Sequence, residues 1–193
     1  MSWLVAGLII FFAGHTISIV NEPWRDRMVA KMGEGPWKGL YAVVATIGFF
    51  LIVRGYGLAH QESAIIYSSA PWLIYLSLLL LIPVFPLLLA TYFPGRIRAV
   101  VRHPMLIATI LWAFAHLLVN GRLTDILLFG SFLVWAGLDL FSMRQRTQRS
   151  VPSVPALRFN DLIALVLGLA LYGMFVVWLH DLLIGVPLVT LIP

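Results

Sequence analysis

Runs of about twenty consecutive apolar residues recur along this chain of 193 residues, and they leave little choice of fold. A hydrocarbon layer of roughly 30 Å asks for about 20 apolar residues per helix. Hydrophobic residues make up 61% of the chain and charged residues 11%, with a mean hydropathy of +0.97. No soluble core of this length hides that much apolar surface. The expected fold is all-α, a polytopic transmembrane helix bundle of about six spans, forming one domain over residues 1–193.

The spans are expected at about Ser2 to Val20, Gly39 to Ala59, Trp72 to Phe93, Met105 to Val119, Leu123 to Phe141 and Leu162 to Leu179. Pro83 and Pro86 should kink the third, and Asn120-Gly121 makes a tight turn between the fourth and fifth. No Lys or Arg precedes the first apolar run and no small-x-small site follows it, so it reads as a retained helix rather than a cleaved signal peptide. The apolar tail from His180 to Pro193 is interrupted by Asp181, Gly185 and Pro187, which favours an interfacial or re-entrant course. No internal repeat of fixed period is present.

Charge orients the bundle. Of the 13 Lys and Arg, 11 fall in the first, third and fifth loops and one, Arg122, in the second and fourth together. The positive-inside rule then puts the odd loops in the cytosol and, with six spans, both termini on the outer side. Arg54, the remaining base, sits close enough to the end of the second span to snorkel. A net charge of +5 arises from short separated loops rather than one helix face, so anionic lipid of the bilayer, not nucleic acid, is the expected counter-charge.

There is no cysteine, which excludes disulfides, thiolate metal sites and thiol nucleophiles. Signatures of serine hydrolases, P-loop enzymes, zincins and dinucleotide-binding folds are also absent. Histidine is the one soft ligand present in number, with five copies. His15 lies inside the first span, roughly 7 to 8 Å from its cytosolic end. His103, in Arg102-His103-Pro104, enters from the same side at the mouth of the fourth span, where Pro104 suits a first helical turn. Two imidazoles at matching depth on different helices are what a bis-histidine haem needs. Arg98, Arg102 and Arg25 near that face can pair with its propionates.

The plainer alternative has His15 bonded to a carbonyl or hydroxyl of a neighbouring helix and His103 solvated in a loop. His116 lies about 20 Å beyond His103 on the same helix, so it cannot share a small metal site with it and stands as a separate cofactor-facing candidate. His60 and His180 fall at the outer boundary, where unbound histidines are common. Asp139, the one acid well inside a span, is expected in an ion pair with Arg98, Arg102 or Arg144, or as an acceptor orienting a histidine. Glu34 is read as a solvated loop acid or a partner for the Arg102 region.

Several stretches carry a resemblance: AGH at 13 to 15, GEGPWKGLY at 33 to 41, RGYG at 54 to 57, YFPGRIRAVVRHPM at 92 to 105, and LWAFAHLLVNGRLTDILLFGSFLVWAGLD at 111 to 139. In this order they resemble the NnrU family over roughly residues 5 to 145. The resemblance implies a multi-pass inner-membrane protein that accompanies nitrite and nitric oxide reduction, with a respiratory enzyme as a possible partner. Zeta-carotene isomerase of plants, a distant relative, implies haem b, axial histidines at positions matching His103 and His15, and cis-trans isomerisation of a hydrophobic small molecule.

The isomerase carries a cysteine near its RHP motif where this chain has Val100 and Val101. An RHP motif opening a membrane helix also resembles isoprenylcysteine and phospholipid methyltransferases, which bind S-adenosylmethionine. Their later Glu-Glu element is replaced here by DLFSMRQRTQR. A haem sensor or assembly factor without catalysis is the third expectation.

Overall fold

The computed structural model describes residues 1–147, 149 and 151–188. Its elements are α1 (Ser2–Val20), α2 (Glu22–Met32), α3 (Glu34–Ala59), α4 (Leu73–Leu81), α5 (Val84–Tyr92), α6 (Arg96–Val101), α7 (Pro104–Val119), α8 (Leu123–Ser142), α9 (Asn160–Met174), a π-helical turn (Phe175–Leu179) and α10 (His180–Ile184). No β-strand occurs among the described residues, and the fold is all-α as expected.

Five helical stretches are long and apolar enough to cross a membrane: Ser2–Val20, Glu34–Ala59, Leu73–Tyr92, Leu123–Ser142 and Asn160–Ile184. A sixth, Pro104–Val119, is apolar but has 16 residues, about 24 Å at the helical rise.

Local chemistry explains where the structure departs from the expected boundaries. The first polar segment is helical rather than a loop. The Asn21 side chain accepts the Trp24 N–H at 3.0 Å and Pro23 sits in the first turn, a capped start for α2. Gly33, with φ at +87°, then breaks the chain before α3, a backbone state that glycine adopts without strain. Pro83 interrupts the third span between α4 and α5 as expected, whereas Pro86 falls in the first turn of α5, which tolerates it. Beyond Leu179 the last helix continues through the π-turn to Ile184 and stops at left-handed Gly185, instead of leaving at His180. The end of the expected interfacial tail, 189–193, lies outside the described residues.

The chain forms two compact units, Met1–Ser68 with Asn120–Thr147, and Ser69–Val119 with Gln148–Pro193. In the first, α1 and α3 pack antiparallel along most of their length and α8 lies against them, around Leu4, Leu8 and Ile52. Glycines set that contact. A Cβ on Gly7 would stand 2.6 Å from the Ile52 backbone nitrogen, and one on Gly48 2.7 Å from that of Phe11. Gly55 meets the Leu4 backbone still more closely. In the second unit α5 packs on α7 and α9 around Val84, Leu87 and Ala108, and Gly168 of α9 abuts the Pro86 backbone.

A side chain at these positions must part the helices. Gly48→Val should lower stability in detergent by about 1 to 3 kcal/mol or more. Gly57→Ala on the same helix, which meets nothing within 4 Å, should leave it unchanged. Thermal unfolding followed by circular dichroism checks both; equal midpoints for the two variants would contradict this packing.

Candidate functional site

His15 sits three-quarters along α1, where the close α1–α3 contact brings Tyr41 beside it. Its Nδ1 lies 2.7 Å from the carbonyl of Phe11, one turn back. A carbonyl only accepts, so Nδ1 carries the proton and the Nε2 lone pair is left for other use. The ring stacks on Phe11 at 4.0 Å between centroids, leans on Tyr41 at 5.0 Å and meets Trp135 of α8 edge-on at 5.6 Å. This bond is the plainer alternative in altered form, since the acceptor belongs to the histidine's own helix.

One turn beyond Trp135, Asp139 is buried and pairs with Arg146 at 2.5 Å, each side chain only 10% exposed. The Ser142 hydroxyl lies 3.4 Å from the same carboxylate oxygen. The observed partner thus differs from the three expected. Arg146 follows the end of α8 and folds back along the helix. Arg144 stands over the Phe141 ring, Arg98 donates to the Thr91 carbonyl, and Arg102 is exposed. Arg25 pairs with its neighbour Asp26 and Glu34 with Lys38, so neither is drawn toward the histidines. Beside the cluster a groove of about 410 Å³ runs between Phe12, Thr16 and Ile19 of α1 and Gly130, Ser131 and Trp135 of α8.

His103 belongs to the second unit, and each histidine is described within its own. Arg102 has φ 62° and ψ −49°, and the His103 N–H reaches back to the Val101 carbonyl at 2.7 Å. That is a γ-turn of the positive-φ kind, rare and strained for a residue with a Cβ. The His103 carbonyl accepts the Ile107 N–H to start α7, while the half-buried imidazole has no hydrogen-bond partner among the described residues. His116, further along α7, bonds the Trp112 carbonyl at 2.8 Å and leans on the Trp112 ring.

A third cluster went unseen in the sequence. At the opposite end of the first unit from His15, Asp125 in the first turn of α8 is 1% exposed. It accepts the Tyr56 hydroxyl at 2.7 Å and the Arg122 N–H at 2.9 Å, and stands 3.3 Å from His60 Nδ1. Thr124 and Ser63 hydroxyls complete the knot, and Arg122 donates to the carbonyls of Gln61 and Ser63. Burial and the Asp125 charge push the nearby Tyr67 phenol above its ordinary pKa. His60 is therefore engaged, not free, and Asp139 is not alone among buried acids. The available signal was the i,i+4 pair Tyr56 and His60 at the end of one span, facing Thr-Asp at the start of another.

Among the described residues no three His, Asp or Glu side chains converge on a metal-ion cage. A porphyrin iron asks less of a protein, since each face takes one imidazole. His15 fits that demand, because ligating histidines commonly hand the other ring proton to a backbone carbonyl. Its aromatic neighbours also fix the ring plane.

Long apolar helices with charge confined to their ends and to buried ion pairs define a polytopic α-helical membrane protein. A family model described as NnrU protein matches residues 3–188, and the chain belongs to the NnrU family. No curated protein and no solved structure matches it.

Neutralising one member of the buried pair strands the other. Asp139→Asn should cost about 3 to 5 kcal/mol, more than loss of the pair as a whole. The double variant Asp139→Asn with Arg146→Gln should recover much of that loss. Chemical unfolding in detergent checks both, and a double variant no more stable than Asp139→Asn would contradict the pairing.

Proposed function

We propose that the chain is a haem-binding protein of a bacterial inner membrane, an accessory to nitrite and nitric oxide respiration, with its odd loops on the cytosolic side. The observation that carries this reading is the His15 imidazole. Its Nδ1 proton is committed to the Phe11 carbonyl, and its ring is clamped by three aromatic groups. What remains is one basic nitrogen in a low-dielectric setting, the form in which an imidazole ligates iron. His103 is a second, independent candidate, as its ring is presented from a strained turn and has no hydrogen-bond partner among the described residues. Haem, when bound, supplies an iron that changes oxidation state or takes up a small diatomic molecule.

The remaining residues have defined tasks under this reading. Phe11, Tyr41 and Trp135 exclude water and hold the ring. The Asp139–Arg146 pair sets a fixed dipole near it without adding net charge. Family membership supports the respiratory setting over isomerisation, because the thiolate next to the RHP motif is missing here. Methyl transfer is less favoured still, since the Glu-Glu element is replaced by DLFSMRQRTQR and Asp139, its one acid, is occupied by Arg146.

The absorption spectrum of protein purified in detergent from haem-replete cells tests the reading. A Soret band is expected; none at all would end it. His15→Ala should abolish the band or convert it to a high-spin form. His103→Ala reports on the second candidate, and His60→Ala, in the far cluster, should leave the spectrum as it was. Identical spectra for wild type and His15→Ala would overturn the ligand assignment. Tight binding of S-adenosylmethionine by haem-free protein would move the reading to methyl transfer.

A further inference from the structure

The second unit holds a device that the His103 turn needs and that the matched motifs did not include. Asn160 and Asp161 open α9, far along the chain from the Pro94-Gly95-Arg96 corner that opens α6. The Asp161 carboxylate accepts the backbone N–H groups of Arg96 at 2.8 Å and Ile97 at 3.0 Å. It lies so close over Gly95 that a Cβ there would run into it. Asn160, 1% exposed, donates through Nδ2 to the Pro94 carbonyl at 2.9 Å and the Pro155 carbonyl at 3.0 Å. A further backbone bond joins Val154 to the Tyr92 carbonyl at 3.0 Å. The first two residues of α6 are thus held by Asp161, and the corner before them by two further bonds, from Asn160 and Val154.

At its other end α6 runs directly into the positive-φ turn at Arg102. Six residues are too few for a helix to hold itself, because helix nucleation is unfavourable. Yet α6 must deliver Val101 in register for the His103 N–H to close the turn on its carbonyl. Ile97 and Val101 pack on Val84, Leu87 and Ala108, and Arg98 donates to the Thr91 carbonyl, so α6 is held at its start and along one face. The Arg102 N–H itself bonds the Arg98 carbonyl at 2.8 Å, so the strained residue, with φ 62° and a Cβ, hangs directly on the last turn of α6.

We infer that Asp161 is a positioning residue for His103. It anchors α6, α6 sets the γ-turn at Arg102, and the turn aims the imidazole. The inference rests on reading His103 as a ligand-presenting side chain, but its test does not require that haem be bound.

The full-length chain, labelled with ¹⁵N in its histidine rings and held in detergent micelles at one fixed pH, gives five ring signals to follow. His103→Gln assigns that of His103. Asp161→Ala should displace the His103 signal while those of His15 and His60 stay in place, and His116 on α7 reports any general loss of the second unit. Asp161→Asn keeps one carbonyl acceptor and should bring the signal part of the way back. A His103 signal unmoved in both variants would overturn the inference. So would equal displacement of all five, which would make Asp161 an element of the fold and nothing more. A missing Soret band alongside displacement confined to His103 would remove the haem reading and leave the positioning role intact.

Discussion

Inside hydrocarbon, apolar side chains gain little by leaving lipid for one another, so helices associate where their backbones can approach closely and dispersion contacts accumulate. The contact between α1 and α3 has this character. Gly7, Gly48 and Gly55 each face the backbone of the opposite helix with no room for a methyl group. That contact fixes the register of two antiparallel helices along most of their length. Register in turn decides which side chains meet at the ends: Leu4 against Gly55 at one, His15 against Tyr41 at the other. The cluster around His15 is a consequence of glycine spacing in two helices that otherwise read as featureless apolar runs.

Once the helices are in register, the polar groups they carry must find partners within the protein, because lipid offers none. The first unit does this twice, at opposite ends of α8. At the start, Asp125 gathers a tyrosine hydroxyl, a backbone N–H and a histidine. At the end, Asp139 takes Arg146. The two clusters differ in what they leave over. His60 is tied through Nδ1 to side chains that themselves knit a loop to a helix, which is a structural task. His15 is tied to its own helix and packed among rings, and its second nitrogen has no hydrogen-bond partner among the described residues. That difference, more than depth in the membrane, separates a ligand candidate from a buried fastening.

The spans were legible because their signal is the sum over twenty residues, which local exceptions cannot erase. Helix ends were less so. In α2 a cap and a first-turn proline outweighed the polar composition, and beyond Leu179 the helix continued until Gly185 because nothing earlier stops it. The site was legible in part. His15, His103 and Asp139 stand out as polar residues in or beside apolar spans. Arg146 does not, since its pairing depends on how the chain bends back after Ser142. Asp125 does not stand out for the same reason: its burial comes from the 60–65 segment folding over it, a non-local event that residue spacing does not encode.

The turn at Arg102 shows how distant parts of the sequence share one task. Glycine would adopt φ 62° without strain, yet the position holds arginine, and the cost of a residue in that region is of order 1 to 3 kcal/mol. Such a conformation persists only where its surroundings over-determine it. Pro104 contributes from one side, since a residue before proline is held out of the helical region and α7 starts beyond it. From the other side comes α6, which is too short to persist unaided and takes its fixity from Asp161 and Asn160. The family match runs through these two residues, whereas the motifs around His103 end well before them. A clamp made by the last long helix therefore belongs to the same structural unit as the RHP turn, and the stretches 92–103 and 154–161 meet in one arrangement around the turn that presents a single imidazole.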